Sequence, residues 1–177
     1  NMRELWVGPD FALGNARQGD LSVLKQLATE LGFSVHQIPY VAQDGRRISS
    51  SQIRAMISEG RVTAAAALLG RCYSLRGRVV HGAHRGRGIG FPTANIYLHR
   101  KNTPILGVYA VQMNGVEDDP VNGVANIGTR PTVCGTRTLL EVHLFDFNKD
   151  IYGKPIKLNL LKFLRDENKF TGVPDLA

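Results

Sequence analysis

Apolar and polar positions alternate between two kinds of spacing along the first seventy residues. Leu5 to Val7 is a short apolar run, broken by Gly8-Pro9-Asp10. Asp20 predicts the N-cap of a helix from Leu21, in which Leu24, Leu27, Ala28 and Leu31 form one apolar stripe and Gly32 the stop. Phe33 to Ile38 then alternates as a strand does, and Pro39 ends it. Ser49, Ser50 and Ser51 offer cap oxygens to a second helix carrying Ile53, Met56 and Ile57, closed by Gly60. A third, short helix starts at Thr63, runs through Ala64 to Leu69 and stops at Gly70. This part of the chain reads as α/β.

From Tyr73 the helical period disappears. Short β-type runs replace it at Tyr73 to His81, Gly107 to Met113, Val121 to Ile127, Thr138 to Phe145 and Pro155 to Phe163. Asn114-Gly115 predicts a tight type I′ hairpin, and the charged stretch Val116 to Pro120 an exposed loop. Leu140, Val142 and Leu144 fall on one face of their strand, Glu141 and His143 on the other. One buried and one open face over five or six short strands indicates a small antiparallel barrel or sandwich. The domain boundary falls near Gly70 to Tyr73. The first seventy residues have room for about two βαβ units, fewer than a parallel sheet needs, and Thr171 to Ala177 reads as a helix cut short. The 177 residues are therefore expected to be a segment of a longer chain, trimmed at both ends.

Composition narrows the classes. Hydrophobic residues make up 43% and charged residues 21%, which excludes wholesale disorder. No apolar stretch is long enough to span a bilayer, and no secretory signal is expected at the N-terminus. Two cysteines, Cys72 and Cys134, suffice for neither a disulfide framework nor a four-cysteine metal site. A cytoplasmic protein is expected, with no membrane partner and an open oligomeric state. The 22 Lys and Arg against 15 Asp and Glu leave a net charge of +7, which asks for an anionic partner. Arg71, Arg76, Arg78, Arg85, Arg87 and Arg100 crowd one glycine-bearing stretch, the pattern of a local phosphate site rather than a uniformly basic face.

The chemistry concentrates there. In Gly82-Ala83-His84-Arg85-Gly86-Arg87-Gly88-Ile89-Gly90, glycines let the backbone approach a ligand and turn N–H groups toward oxyanions, with Arg85 and Arg87 beside them. The stretch matches neither a Walker A loop nor G-x-G-x-x-G. Pro92 stiffens the backbone, so Thr93 and Asn95 aim a hydroxyl and an amide oxygen the same way, a donor set that suits Mg²⁺ with substrate phosphates. An ST or Asx turn explains the same two residues structurally. Glu141, among Leu139, Leu140 and Val142, is a carboxylate in an apolar strand. Ser49 and Ser50 with Arg54 fit either phosphate at a helix N-terminus or a plain cap. His81, His84 and His143 lack partners at zinc-ligand spacing.

Four motifs in order give a resemblance. Gly90-Phe91-Pro92-Thr93-Ala94-Asn95, Ala125 to Thr132, Leu140 to Leu144, and Leu164 to Phe170 resemble those of riboflavin kinases. Upstream, Val7 to Gly14 and Ile48 to Arg54 resemble segments of the FAD synthetase domain that precedes this kinase in bacterial bifunctional enzymes, with Leu13 for the usual Phe and Ser51 for the usual Thr. The resemblance implies an α+β chain: residues 1–70 as part of a Rossmann-like α/β nucleotidyltransferase domain, and residues 71–177 as a six-stranded antiparallel β-barrel. It implies transfer of the ATP γ-phosphate to the 5′-hydroxyl of riboflavin, giving FMN and ADP.

By the same resemblance Glu141 is the catalytic carboxylate, and Thr93 and Asn95 hold Mg²⁺ and the phosphates. Gly82, Arg85, Gly86, Arg87, Gly88 and Gly90 cradle ATP, with Tyr152 near its adenine. Arg165, Asn168 and Phe170 line the flavin, while Ser49, Ser50 and Arg54 are remnants of the adenylyltransferase site. That domain's H-x-G-H nucleotide loop would lie before residue 1, so FMN without FAD is the expected product. Two alternatives stand beside this reading, a basic OB-like barrel that binds nucleic acid and an inactive flavin- or nucleotide-binding module.

Overall fold

The computed structural model describes residues 2–82, 92–98, 103–132 and 135–167, with side chains at 130–137 outside that description. The candidates Arg85, Gly86, Arg87, Gly88, Gly90, Asn168 and Phe170 lie outside the described residues. Two compact units divide between Ser49 and Ser50.

The first unit opens with strand β1 (Glu4–Val7), followed by helix α1 (Leu21–Leu31) and strand β2 (Ser34–Gln37). β1 and β2 pair in parallel from Glu4↔Ser34 to Val7↔Gln37, so the three elements make one βαβ unit. Asp20 caps α1 as the sequence predicts: its Oδ1 accepts from the Ser22 and Val23 N–H groups at 2.8 and 3.1 Å. The Ser22 hydroxyl, which donates to the same oxygen at 2.6 Å, together with these two N–H groups holds the Asp20 carboxyl below the usual carboxylate range. Gly32 closes the helix in the left-handed conformation. A small hairpin of β3 (Ala42–Gln43) and β4 (Arg46–Arg47) follows, turned by Asp44 and Gly45 at φ 51° and 71°. Beside it, the Arg47 guanidinium lies 3.6 Å over the Tyr40 ring and bonds Asp10 at 2.9 Å.

The second unit begins with helices α2 (Ser50–Ser58) and α3 (Val62–Leu69). Then come β5 (Ser74–Val80), β6 (Ala94–Tyr97), β7 (Gly107–Asn114), β8 (Val121–Thr132), β9 (Gly135–Leu144) and β10 (Pro155–Arg165). The six strands close into an antiparallel barrel in the order β10-β5-β6-β9-β8-β7. Closure removes exposed strand edges. The barrel is filled by the inward side chains of each strand, among them Leu75, Ile127, Leu140, Val142 and Leu158, each 1% exposed or less. Ile57 and Val62 of the two helices belong to the same core, and the Thr63 hydroxyl donates to the Leu161 carbonyl of β10.

β6 supplies the sixth strand, over residues for which a turn is the structural alternative. One expectation is corrected. Asn114-Gly115 is not a two-residue hairpin: β7 and β8 are joined by residues 115–120. Val116 is the cause, since it turns inward to 6% exposure and draws the connection over the barrel end. Gly115 permits the turn at φ 94°, where a Cβ would stand 2.8 Å from the Pro155 carbonyl oxygen. The alternation at Leu140, Val142 and Leu144 holds, with all three buried while Glu141 and His143 stay half-buried on the outer face.

Tyr109 is the largest fully buried side chain. Its hydroxyl donates to the Leu106 carbonyl at 2.9 Å, and its ring meets Phe163 edge-on at 5.3 Å. Burial, with the Asp166 charge adding to it, pushes the Tyr109 hydroxyl above the ordinary tyrosine value. The neutral form is therefore favoured in the folded state. Its contribution is full below the unfolded value near pH 10 and is lost as pH rises through the folded one. Alkaline denaturation series are expected to show this decline in the wild type and a flatter one in Tyr109→Phe. At pH 7 that variant is expected to lose about 1 kcal/mol for its missing hydrogen bond.

Candidate functional site

The barrel register brings separated motifs side by side. β6 pairs with β9 through Ala94↔Val142, Asn95↔Glu141 and Ile96↔Leu140. Ala94, Ile96, Leu140 and Val142 face inward, so Asn95 and Glu141 share the outer face as direct cross-strand neighbours. On the other flank of Glu141 stands Asn126 of β8. A carboxylate thus lies between two carboxamides on three adjacent strands. None of the three side chains is hydrogen-bonded or ion-paired to a side chain among the described residues.

The residues on either side of Thr93 and Ala94 are held by two neighbours. His143 Nδ1 lies 3.0 Å from the Pro92 carbonyl oxygen, which ties the approach to β6 against β9. Gly82, at the end of the β5 approach, lies so close to Asn95 that an added Cβ would collide with the Asn95 carboxamide. Next to it, His81 stacks on Tyr152 with centroids 3.9 Å apart and planes 25° from parallel. The Tyr152 backbone N–H in turn donates to Asp150 Oδ1 at 2.9 Å.

Of these residues, Pro92, Thr93, Asp150 and Tyr152 line a cavity of about 350 Å³, while Asn95 and Glu141 lie outside its lining. Val79, Ala94, Val142 and Leu144 form its apolar floor, Thr93 one rim and the segment from Phe147 to Tyr152 the other. Its volume is that of a small-molecule site with an apolar floor and a few polar groups.

The described candidates thus fall into four places. Gly82, Asn95 and Glu141 adjoin one another along β6 and β9, while Thr93 and Tyr152 line the cavity. Arg165 ends β10, opposite Val108, which is itself opposite Asn126. It follows that Arg165 belongs to the same register row but lies three strands from Glu141, roughly 14 Å at the usual strand spacing. Beyond it, the Glu167 carboxylate lies over Gly128 of β8. Ser49 precedes α2, Ser50 is its first residue and Arg54 is exposed on it. The Phe147–Asp150 rim carries no site signal in the sequence, His81 enters there only as a rejected zinc ligand, and Asn126 only inside the Ala125–Thr132 motif without a role of its own; counting outward positions opposite Glu141 singles it out.

The oxygens of Thr93 and Asn95 fit a hard divalent cation that keeps phosphate and water ligands. The tight seat of the Asn95 carboxamide on Gly82 holds one of them in place. Among the described residues no cluster of three His, Cys, Asp or Glu forms a metal cage.

The architecture is a small closed β-barrel with a cavity between Thr93 and the Phe147–Tyr152 segment and a polar row on the outer face of β6, β9 and β8. The chain belongs to the riboflavin kinase family, whose model matches residues 69–177, and the FAD synthetase family model matches residues 1–52. The bifunctional riboflavin kinase/FMN adenylyltransferase of Escherichia coli strain K12 is 45% identical over 172 residues, covering 97% of this chain and 55% of that protein. The protein of the same name from Haemophilus influenzae is 44% identical over 176 residues, 99% of this chain and 57% of its own length. The chain therefore spans about half the length of the curated relatives it matches. A crystal structure described as a macrolide-efflux protein from Streptococcus pneumoniae superposes with a TM-score of 0.75 at 36% identity, covering 96% of this chain and 54% of that one. No helix among the described residues is long and apolar enough to cross a membrane. The family match favours the kinase reading over a nucleic-acid-binding barrel.

Proposed function

We propose that this chain transfers the γ-phosphate of ATP to the 5′-hydroxyl of riboflavin, releasing FMN and ADP. The observation that carries the reading is the direct pairing of Glu141 with Asn95 in a barrel of the riboflavin kinase family. A primary alcohol is a weak nucleophile, and Glu141 accepts its proton as the new O–P bond forms and the bond to the β–γ bridging oxygen breaks. General base catalysis of this kind contributes about 10²–10⁴-fold. Thr93 and Asn95 would hold Mg²⁺, which when bound offsets phosphate charge. The cavity beside Tyr152 takes the adenine, and the glycine-rich stretch from Gly82, with Arg85, Gly86, Arg87, Gly88 and Gly90, takes the phosphates. Arg165, Asn168 and Phe170 are assigned to the flavin.

The domain division at residue 70 belongs to the same proposal. Residues 1–70 are the portion related to a Rossmann-like FAD synthetase domain, in which Ser49, Ser50 and Arg54 are remnants of its nucleotide site. The parallel pairing of β1 with β2 around α1 supports that relation. The protein is taken to work in the cytoplasm on small molecules, without a nucleic-acid or membrane partner. The test is incubation with riboflavin, ATP and Mg²⁺ and chromatography of the flavins. FMN is the expected product, and unchanged riboflavin at high protein concentration would end the proposal.

A further inference from the structure

The row that carries Asn95 and Glu141 has a third polar member with no role so far. Asn126 stands opposite Glu141 in β8. Its Oδ1 is buried without a hydrogen-bond partner among the described residues. A buried, unpartnered amide oxygen is unfavourable, and a β-branched side chain would fill the strand position without that penalty. The residue is only partly buried, so part of its side chain stays within reach of a ligand.

The row has a direction. On one flank of Glu141, Asn95 abuts Gly82, where the glycine-rich stretch begins. On the other, Asn126 leads through Val108 to Arg165. A substrate whose reacting oxygen meets Glu141, with phosphate on the Asn95 side, must run its remaining chain past Asn126. Side chains on adjacent strands, about 4.8 Å apart, can each hydrogen-bond one of two oxygens on neighbouring carbons.

We propose that Asn126 is a specificity residue for a polyol chain. Its amide N–H donates to the hydroxyl oxygen on the carbon next to the reacting alcohol, while Glu141 accepts from the alcohol itself. This rests on the phosphotransfer reading above. The substrate class is then a chain with at least two neighbouring hydroxyls, rather than an isolated primary alcohol.

The experiment compares kcat/KM for riboflavin and for 4′-deoxyriboflavin in the wild type and in Asn126→Ala. The wild type is expected to prefer riboflavin by about tenfold, the worth of one hydrogen bond to a substrate hydroxyl, and Asn126→Ala to lose that preference. Asn126→Val is measured alongside and is expected to keep or raise the thermal midpoint, since the buried unpartnered oxygen is gone. A preference unchanged in Asn126→Ala, or loss of the fold in both variants, overturns the assignment. Wild-type turnover of riboflavin separates those results from failure of the phosphotransfer reading, under which neither flavin is phosphorylated and the inference falls with it.

Discussion

Glu141→Gln is expected to lower kcat for FMN formation about 10²–10⁴-fold while leaving ATP binding within a factor of a few. Glutamine keeps the size and hydrogen-bonding reach of the side chain but cannot accept the alcohol proton. The position is an outer one on β9, flanked by inward Leu140 and Val142, both fully buried. Nothing in the core changes, so thermal stability is expected to stay within about 0.5 kcal/mol of wild type. A loss of activity that tracks a loss of folded protein would show that Glu141 supports the strand rather than the reaction. Single-turnover measurements at saturating ATP separate the chemical step from binding.

The second large effect is expected from the smallest change. Gly82→Ala adds one carbon where the Asn95 carboxamide already lies. The obstacle is a side-chain end rather than backbone, so the barrel accommodates the methyl by turning Asn95 aside. With Asn95 in its proposed place beside the phosphates, displacing it by about an ångström is expected to reduce kcat/KM for ATP about 10²-fold with little change in the thermal midpoint. The mechanism has a signature in combination. If Gly82→Ala acts by moving Asn95, the double variant Gly82→Ala/Asn95→Ala is no worse than Asn95→Ala alone. Additive losses would mean that Gly82 contributes through the ATP-binding stretch independently of Asn95.

Much of the barrel is visible in the residue pattern because its strands alternate cleanly. Leu140, Val142 and Leu144 mark β9 with no ambiguity, and all three line the core. β6 is hidden because Ala94-Asn95-Ile96-Tyr97 follows a proline and offers one large inward residue, Ile96, too little for a period of two to register. Its pairing with β5 and β9 makes it a strand, and that is a tertiary fact. The hairpin signals point the same way. Asp44-Gly45 forms the two-residue turn, whereas at Asn114-Gly115 the burial of Val116 outweighs local turn preference. The site divides along this line. Thr93, Asn95 and Glu141 are legible as chemistry-bearing residues, but that Asn95 faces Glu141 follows only from the register. Asn126 falls inside the Ala125–Thr132 motif, but its own role is invisible without that register, because it lies in its neighbour and in an oxygen with no partner among the described residues.

Isotope transfer tests the central claim most directly. The full 177-residue protein is incubated with riboflavin, Mg²⁺ and ATP labelled at either the γ- or the α-phosphate, and the isolated flavin is counted. Label from the γ position is predicted to appear in FMN, one per flavin and in step with ADP, with none from the α position and a rate that collapses in Glu141→Gln. A flavin that takes up no γ-label, or takes it up as fast in Glu141→Gln as in the wild type, would contradict the account.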